Sequence, residues 1–169
     1  MILLWIVFAI ALVFAAVVAV GAPYVPSKPK DLSDAFDALY PISKKDLVLD
    51  IGSGDGIVLR EVARRGGRAV GIEINPILVL ISKWLSRGDL LVHIQLANLW
   101  RFNFPTSTTL VYVFGESRDI ARMSRKIQSE VNRLGHDVQV MSYGFEIPGA
   151  KQLARTKTHF LYKFSPLQK

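Results

Sequence analysis

No cysteine occurs among the 169 residues of this chain. That absence excludes a disulfide framework, a thiolate metal site and a cysteine nucleophile. Histidine is scarce too: His93, His136 and His159 stand alone, without metal-ligand spacing, and each is expected at the surface or at a strand edge. Charge is missing from the whole run Ile2 to Ala22. Twenty-one helical residues at about 1.5 Å each reach roughly 31 Å, close to the ~30 Å hydrocarbon core of a bilayer. A cleaved secretory signal competes with this reading, because Val20-Gly21-Ala22 has small-residue cleavage chemistry. However, no Lys or Arg precedes the run, and it is longer than a usual signal core. The nearby basic side chains, Lys28, Lys30, Lys44 and Lys45, all follow it. The positive-inside tendency then puts the N-terminus outside and the folded part in the cytoplasm, or in the equivalent compartment of an organelle. The net charge of +7 is spread along the chain and suits an anionic membrane or a nucleic acid.

The remainder is long enough for one domain with a proper core. The expected division is an anchor over 1–22, a Pro-rich linker with a short helix over 23–44, and a folded domain over 45–169. Pro23, Pro26 and Pro29 stiffen the linker. Asp31-Leu32-Ser33-Asp34 then starts a short helix that Pro41 stops. Strands are expected at 46–50, 68–73, 90–96, 109–114 and 137–143, with a hairpin over 151–164. Helices are expected at 57–65, 76–85 and 118–134. Ile77, Leu80, Ile81, Trp84 and Leu85 form the apolar stripe of the second of these, read as core. Ile120, Met123, Ile127, Val131 and Leu134 form that of the third. Strands alternating with helices imply a mostly parallel sheet covered on both faces.

The densest information lies at Asp50-Ile51-Gly52-Ser53-Gly54-Asp55-Gly56, entered through Leu47-Val48-Leu49. A buried strand runs into a turn with glycine at every second position, and a helix follows. Glycine lets the backbone turn tightly and lets a ligand approach it. The helix start aims free N–H groups at whatever sits there. Glu73 ends the next apolar run, twenty-three residues after Asp50. That spacing suits a carboxylate accepting from ribose hydroxyls. Dinucleotide folds use Gly-x-Gly-x-x-Gly. Here Ile57 stands at the third place and Gly56 comes one step early, so a dinucleotide is the rival reading.

Asp-x-Gly-x-Gly-x-Gly resembles the first motif of class I S-adenosylmethionine-dependent methyltransferases. Further runs agree in order: Ala22-Pro23-Tyr24-Val25-Pro26, Gly71-Ile72-Glu73-Ile74-Asn75-Pro76, Asn98-Leu99-Trp100 and Val113-Phe114-Gly115. Together they are similar to the small membrane-anchored protein-lysine N-methyltransferases that modify the ATP synthase c-subunit or the ADP/ATP carrier. The resemblance implies a Rossmann-like class I methyltransferase sheet with helices on both faces and a C-terminal antiparallel hairpin, preceded by one transmembrane helix. It implies S-adenosyl-L-methionine as cofactor, with a membrane bilayer and a membrane-protein substrate rather than a nucleic acid as partners; the missing cysteines and isolated histidines leave no metal site. Gly52, Ser53, Gly54, Asp55 and Gly56 would hold the methionine half beside Asp50. Glu73 would take the ribose, and Asn98 or Leu99 would border the adenine. Ile57, Asn98 and Glu116-Ser117 depart from the pattern, where relatives carry Arg, Asp and a more apolar, proline-containing run.

A lysine acceptor must lose its proton before it attacks. Glu116, just after the fourth parallel strand, is the candidate for that task. Its competing role is a solvated partner of Arg118 or Arg122. Tyr143 and Glu146 are candidates for lining the acceptor channel. RNA, lipid or quinone methylation is an alternative, with the basic side chains of the 118–133 helix and the 151–169 tail following phosphates in the RNA case. A non-catalytic, membrane-tethered binding module is another.

Overall fold

The computed structural model describes residues 1–8, 28–114 and 119–167. Its centre is a seven-stranded sheet in the order β3-β2-β1-β4-β5-β7-β6. The strands are β1 (Leu47–Ile51), β2 (Arg68–Glu73), β3 (Val92–Leu96), β4 (Leu110–Phe114), β5 (Val138–Tyr143), β6 (Lys151–Arg155) and β7 (His159–Phe164). Strands β1 to β5 run parallel to one another. β7 runs antiparallel and enters between β5 and β6. The expected hairpin therefore exists, but its second strand, not its first, docks on the parallel sheet. The outer strand β6 is exposed throughout and carries Lys151 and Arg155, charges that discourage pairing with another chain.

The central strands read as continuous apolar runs because both of their faces are covered. Helices α1 (Pro29–Leu39), α2 (Ile57–Arg64) and α3 (Pro76–Leu85) lie on one face, and α4 (Ile120–Leu134) on the other. On the first face, Leu32 and Phe36 of α1, Val58, Leu59 and Val62 of α2, and Val79 of α3 pack with Val48, Ala69, Leu110, Tyr112 and Met141. On the second, Met123, Ile127 and Val131 of α4 pack with Leu49, Ile51, Ile72, Val111 and Val140. Alternate residues of each strand thus feed alternate cores, as strand geometry requires. The β1/β4 boundary is where the strand order reverses, and ligand crevices open there in such sheets.

Three expectations change. α1 begins at Pro29, two residues before the anticipated start, because proline at the first helical position forfeits only an amide that would be unpaired anyway. His159 is fully buried on β7 rather than at the surface or at an edge. It is satisfied there, with Nε2 3.0 Å from the Tyr112 hydroxyl and Nδ1 3.0 Å from Thr158 Oγ1.

The third concerns α3, whose apolar stripe does not face the core. Leu78, Val79 and Ser82 are buried, while Leu80, Ile81, Trp84 and Leu85 are exposed. The reason is steric. α3 packs so closely against the start of α2 that a Cβ at Gly56 would collide with Ser82 Oγ. Only a small side chain fits at that contact, so the helix turns inward the side that carries Ser82 together with Leu78 and Val79.

Residues 2–8 are helical. Among the described residues no helix is long and apolar enough to cross a membrane. Most of the expected anchor over 1–22 lies outside the described residues.

Candidate active site

The turn after β1 is built by the backbone. Ile72 O of the neighbouring strand accepts from Gly52 N at 2.9 Å and from Ser53 N at 3.1 Å, and Gly56 N donates to Ser53 O at 2.8 Å. Gly52 has φ +75°, a region that favours glycine, and no atom of the described residues lies within 4 Å of where its side chain would stand. That opening is a cradle for a ligand against bare backbone. Asp55 fixes the far side of the turn. Its Oδ1 accepts from Ile57 N, and its other oxygen pairs with Arg60 at 3.2 Å.

Glu73 acts as a collar between the turn and α3. Its Oε2 accepts from Gly54 N at 2.9 Å, and its Oε1 accepts from Ile74 N and Asn75 N, each at 2.8 Å. Three of the roughly four lone-pair sites of a carboxylate are thus taken by amides, and one remains on Oε2. Asn75 caps α3 by accepting from Ile77 N at 2.9 Å, as its place before Pro76 predicts.

Asp50 contrasts with Glu73. It is buried at the end of β1, and its Oδ2 has no hydrogen-bond partner among the described residues. Burial pushes its carboxyl well above the ordinary carboxylate range, and the nearby charges of Glu73 and Asp55 push it the same way. A buried acid left unpaired beside an open glycine cradle is a site that gains from a cation. The buried hydroxyls of Ser53, Ser82 and Ser86 likewise lack partners among the described residues. The last two escape a reading of the sequence. Their signal is the spacing Asn75, Leu78/Val79, Ser82, Ser86, a helical face of small and polar residues beside a more obvious apolar one.

Asn98 lies beyond β3, exposed, with its Oδ1 accepting from Trp100 N at 3.0 Å at the start of a short 3-10 turn, Leu99–Arg101. Arg122 of α4 stacks its guanidinium 3.8 Å from the centre of the Trp100 ring. Asp50, the turn residues 52–56 and Glu73 therefore meet at one place, and Asn98 stands at its border. Glu116 lies outside the described residues.

The register carries the site across the sheet. Ile51 pairs with Val113, so Phe114 stands level with Gly52; Phe114 pairs with Tyr143, and Tyr143 with His159. The Phe114 and Tyr143 rings stack with centroids 5.0 Å apart, and His159 meets Tyr143 edge-on at 4.9 Å. Burial lowers the His159 imidazole to about 4, against a smaller opposing pull from Asp31, so it is neutral near pH 7.

A family model, the ANTKMT methyltransferase domain, matches residues 50–154, from Asp50 of the glycine turn into the C-terminal hairpin. The chain belongs to this family. A methyltransferase domain implies a methyl donor of the S-adenosylmethionine type, and the site can be tested against it. The human ATP synthase C-subunit lysine N-methyltransferase is 29% identical over 147 residues, 84% of this chain and 60% of that protein. The Xenopus laevis protein of the same name is 31% identical over 112 residues, 64% of this chain and 48% of that one. The chain thus spans about half the length of the curated relatives it matches. An RNA methyltransferase from Salinibacter ruber, solved in complex with S-adenosyl-L-homocysteine, superposes with a TM-score of 0.73 at 21% identity, covering 86% of this chain and 96% of that one. At that identity the likeness speaks for the fold alone.

The residues present fit such a cofactor. The Gly52 cradle admits it, the orphaned Asp50 oxygen suits its ammonium, and Glu73 keeps an acceptor site for its ribose.

Proposed function

We propose that this chain transfers a methyl group from S-adenosylmethionine to a lysine amine of a membrane protein, with the ATP synthase c-subunit as the model substrate. The observation that carries the reading is the unpaired buried carboxyl of Asp50 beside the open Gly52 cradle. Its lone oxygen receives the cofactor's ammonium, which compensates the buried acid. Gly52, Gly54 and Gly56 let the backbone approach the methionine half, and Ser53 and Asp55 shape the turn. Glu73 Oε2 accepts one ribose hydroxyl; a second direct bond would require an amide to let go. Asn98 keeps its amide N–H groups for an adenine ring nitrogen, because its carbonyl is already used by Trp100 N.

When bound, S-adenosylmethionine supplies a methyl group already activated by its sulfonium. The protein's task is then position and desolvation, and good alignment alone is worth roughly 7–11 kcal/mol. Phe114 and Tyr143, level with the turn, line the acceptor channel together with Glu146. Neutral His159 behind them adds no charge that would repel an amine. Glu116 orients the lysine amine and takes its proton. The uncharged segment 2–22 anchors the chain, with the catalytic domain on the cytoplasmic side or its organellar equivalent.

The RNA alternative draws little from α4. Lys126 and Arg133 both pair with the buried Glu130, at 2.6 Å each, and Arg122 covers Trp100.

Detergent-solubilised protein, native membranes and methyl-labelled cofactor test the reading. Label on a lysine of a small membrane protein is expected; label on RNA or lipid alone would overturn it. Asp50→Asn gives a second test. A carboxyl whose folded-state value is raised destabilises increasingly as pH climbs from the unfolded value to the folded one, and by a constant amount above it. The unliganded variant should therefore melt higher than the parent at neutral pH, while calorimetry shows cofactor binding at least about tenfold weaker, a loss of ~1.4 kcal/mol.

A further inference from the structure

We infer that the outer face of α3 is a second bilayer contact, one that lays the β3 edge of the domain against anionic headgroups. Leu80 is 68% exposed and Trp84 63%, with Ile81 and Leu85 at 41% each. The patch continues beyond the helix. Leu90 is 99% exposed, Leu91 borders it, and Ile74 and Leu96 extend the surface at the end nearest Glu73. Exposed apolar side chains gathered on one helix face and in the segments that flank it mark a surface suited to an apolar partner.

Charge and chemistry select the occupant. From Ile74 to Gly88 there is no acidic residue, while Lys83 and Arg87 flank the apolar face. Arg87 lays its guanidinium 4.7 Å from the Trp84 ring centre. The nearest acid in sequence beyond the helix, Asp89, accepts from Leu91 N at 3.0 Å. An apolar helix face with Trp among its exposed residues and basic side chains beside it is the composition of a helix lying in a membrane interface. A protein partner would not require this one-signed rim, whereas a surface of anionic lipid does. The uncharged run at residues 2–22 independently brings lipid to the molecule. Because α3 starts at Pro76, three residues after Glu73, this contact places the strand ends that carry the glycine turn beside the headgroup layer. A lysine held near that layer by a membrane-embedded substrate would then come within reach.

The absence of cysteine makes the test clean. In the 169-residue chain, Leu80→Cys carries a nitroxide label, and Ser129→Cys, exposed on the opposite face, is the control. Both are reconstituted in vesicles of phosphatidylcholine with a minor fraction of phosphatidylglycerol. The label at position 80 should collide preferentially with oxygen, and the control with a water-soluble nickel chelate. Combining Lys83→Glu with Arg87→Glu should move the first label toward the control. Equal behaviour at the two positions would overturn the inference. So would shielding of position 80 from both reagents, with spin–spin broadening if a second copy covers the face and without it if another part of the chain does. Leu80 is exposed and belongs to neither core of the described residues, so the outcome does not hinge on folding. It is also independent of which acceptor is methylated, so failure here would leave the proposed transfer standing.

Discussion

Helices α3 and α4 cover opposite faces of the sheet and dispose of their apolar side chains in opposite ways. α4 buries Met123, Ile127 and Val131 and flanks them with a buried acid, Glu130. That carboxylate accepts from Phe104 N, Lys126 and Arg133, and Arg133 also donates to Phe104 O, so the helix pins the segment that follows Asn98. α3 buries only Leu78, Val79 and Ser82, with Ser86 buried just past its end, and leaves its larger apolar stripe, Leu80 and Trp84 included, outside. The difference teaches that a helix beside a glycine turn is oriented by what fits in the closest contact, even when a larger hydrophobic face points elsewhere.

Breaking α4 should have the largest effect. Ile127→Ala, at a fully buried site, should cost about 2–5 kcal/mol in urea unfolding. A loss under about 1 kcal/mol would mean that the second core is not packed as described. Ser82→Leu is next. It forces a large side chain into the contact with Gly56 and should cost about 1–3 kcal/mol through overpacking, with weaker cofactor binding by calorimetry. An unchanged protein would show that α3 can rotate its apolar stripe inward after all.

Acid should then loosen the α4 side. Burial would raise the Glu130 carboxyl, but the bonds from Lys126, Arg133 and Phe104 outweigh it and hold it below its ordinary value. Its contribution is present above the unfolded pKa and is lost as pH falls through the lower folded value. His159, lowered to about 4, works in the same direction at higher pH: the unfolded chain takes up a proton below ~6.5 while the folded one resists until about 4. Asp50 works against both, because its raised carboxyl regains a proton as pH falls; in the Asp50→Asn background the urea midpoint should therefore decline from about pH 6.5 downward, and adding Glu130→Gln should flatten only the lowest part of that decline. The smallest effect belongs to Leu80→Ser, which should shift stability in lipid-free solution by no more than about 0.5 kcal/mol. A larger loss would mean that the face is covered within the molecule.

Much of this is legible in residue order. β2 has its full span, 68–73, in the sequence pattern, and the Asp50–Gly56 turn and Glu73 are read together from a strand, alternating glycines and a carboxylate at the next strand end. These features are local: glycine's freedom, proline's fixed φ and the apolar runs act within a few residues. The face of α3 is not legible, because five apolar residues at helical spacing outvote two serines in any periodicity argument. Nor is the burial of His159, which depends on Tyr112 lying forty-seven residues away, or the insertion of β7 beside β5.

Residue order alone determined the glycine turn, the acid that closes it, the alternation of strand and helix, and the uncharged stretch at the N-terminus. Tertiary structure decided that Asp50 is left unpaired, that Glu73 has most of its lone pairs spoken for, and that α3 presents its greasy side outward. Each of the latter depends on which atoms from distant segments arrive at the same point, and burial and hydrogen bonding are properties of that meeting rather than of either segment.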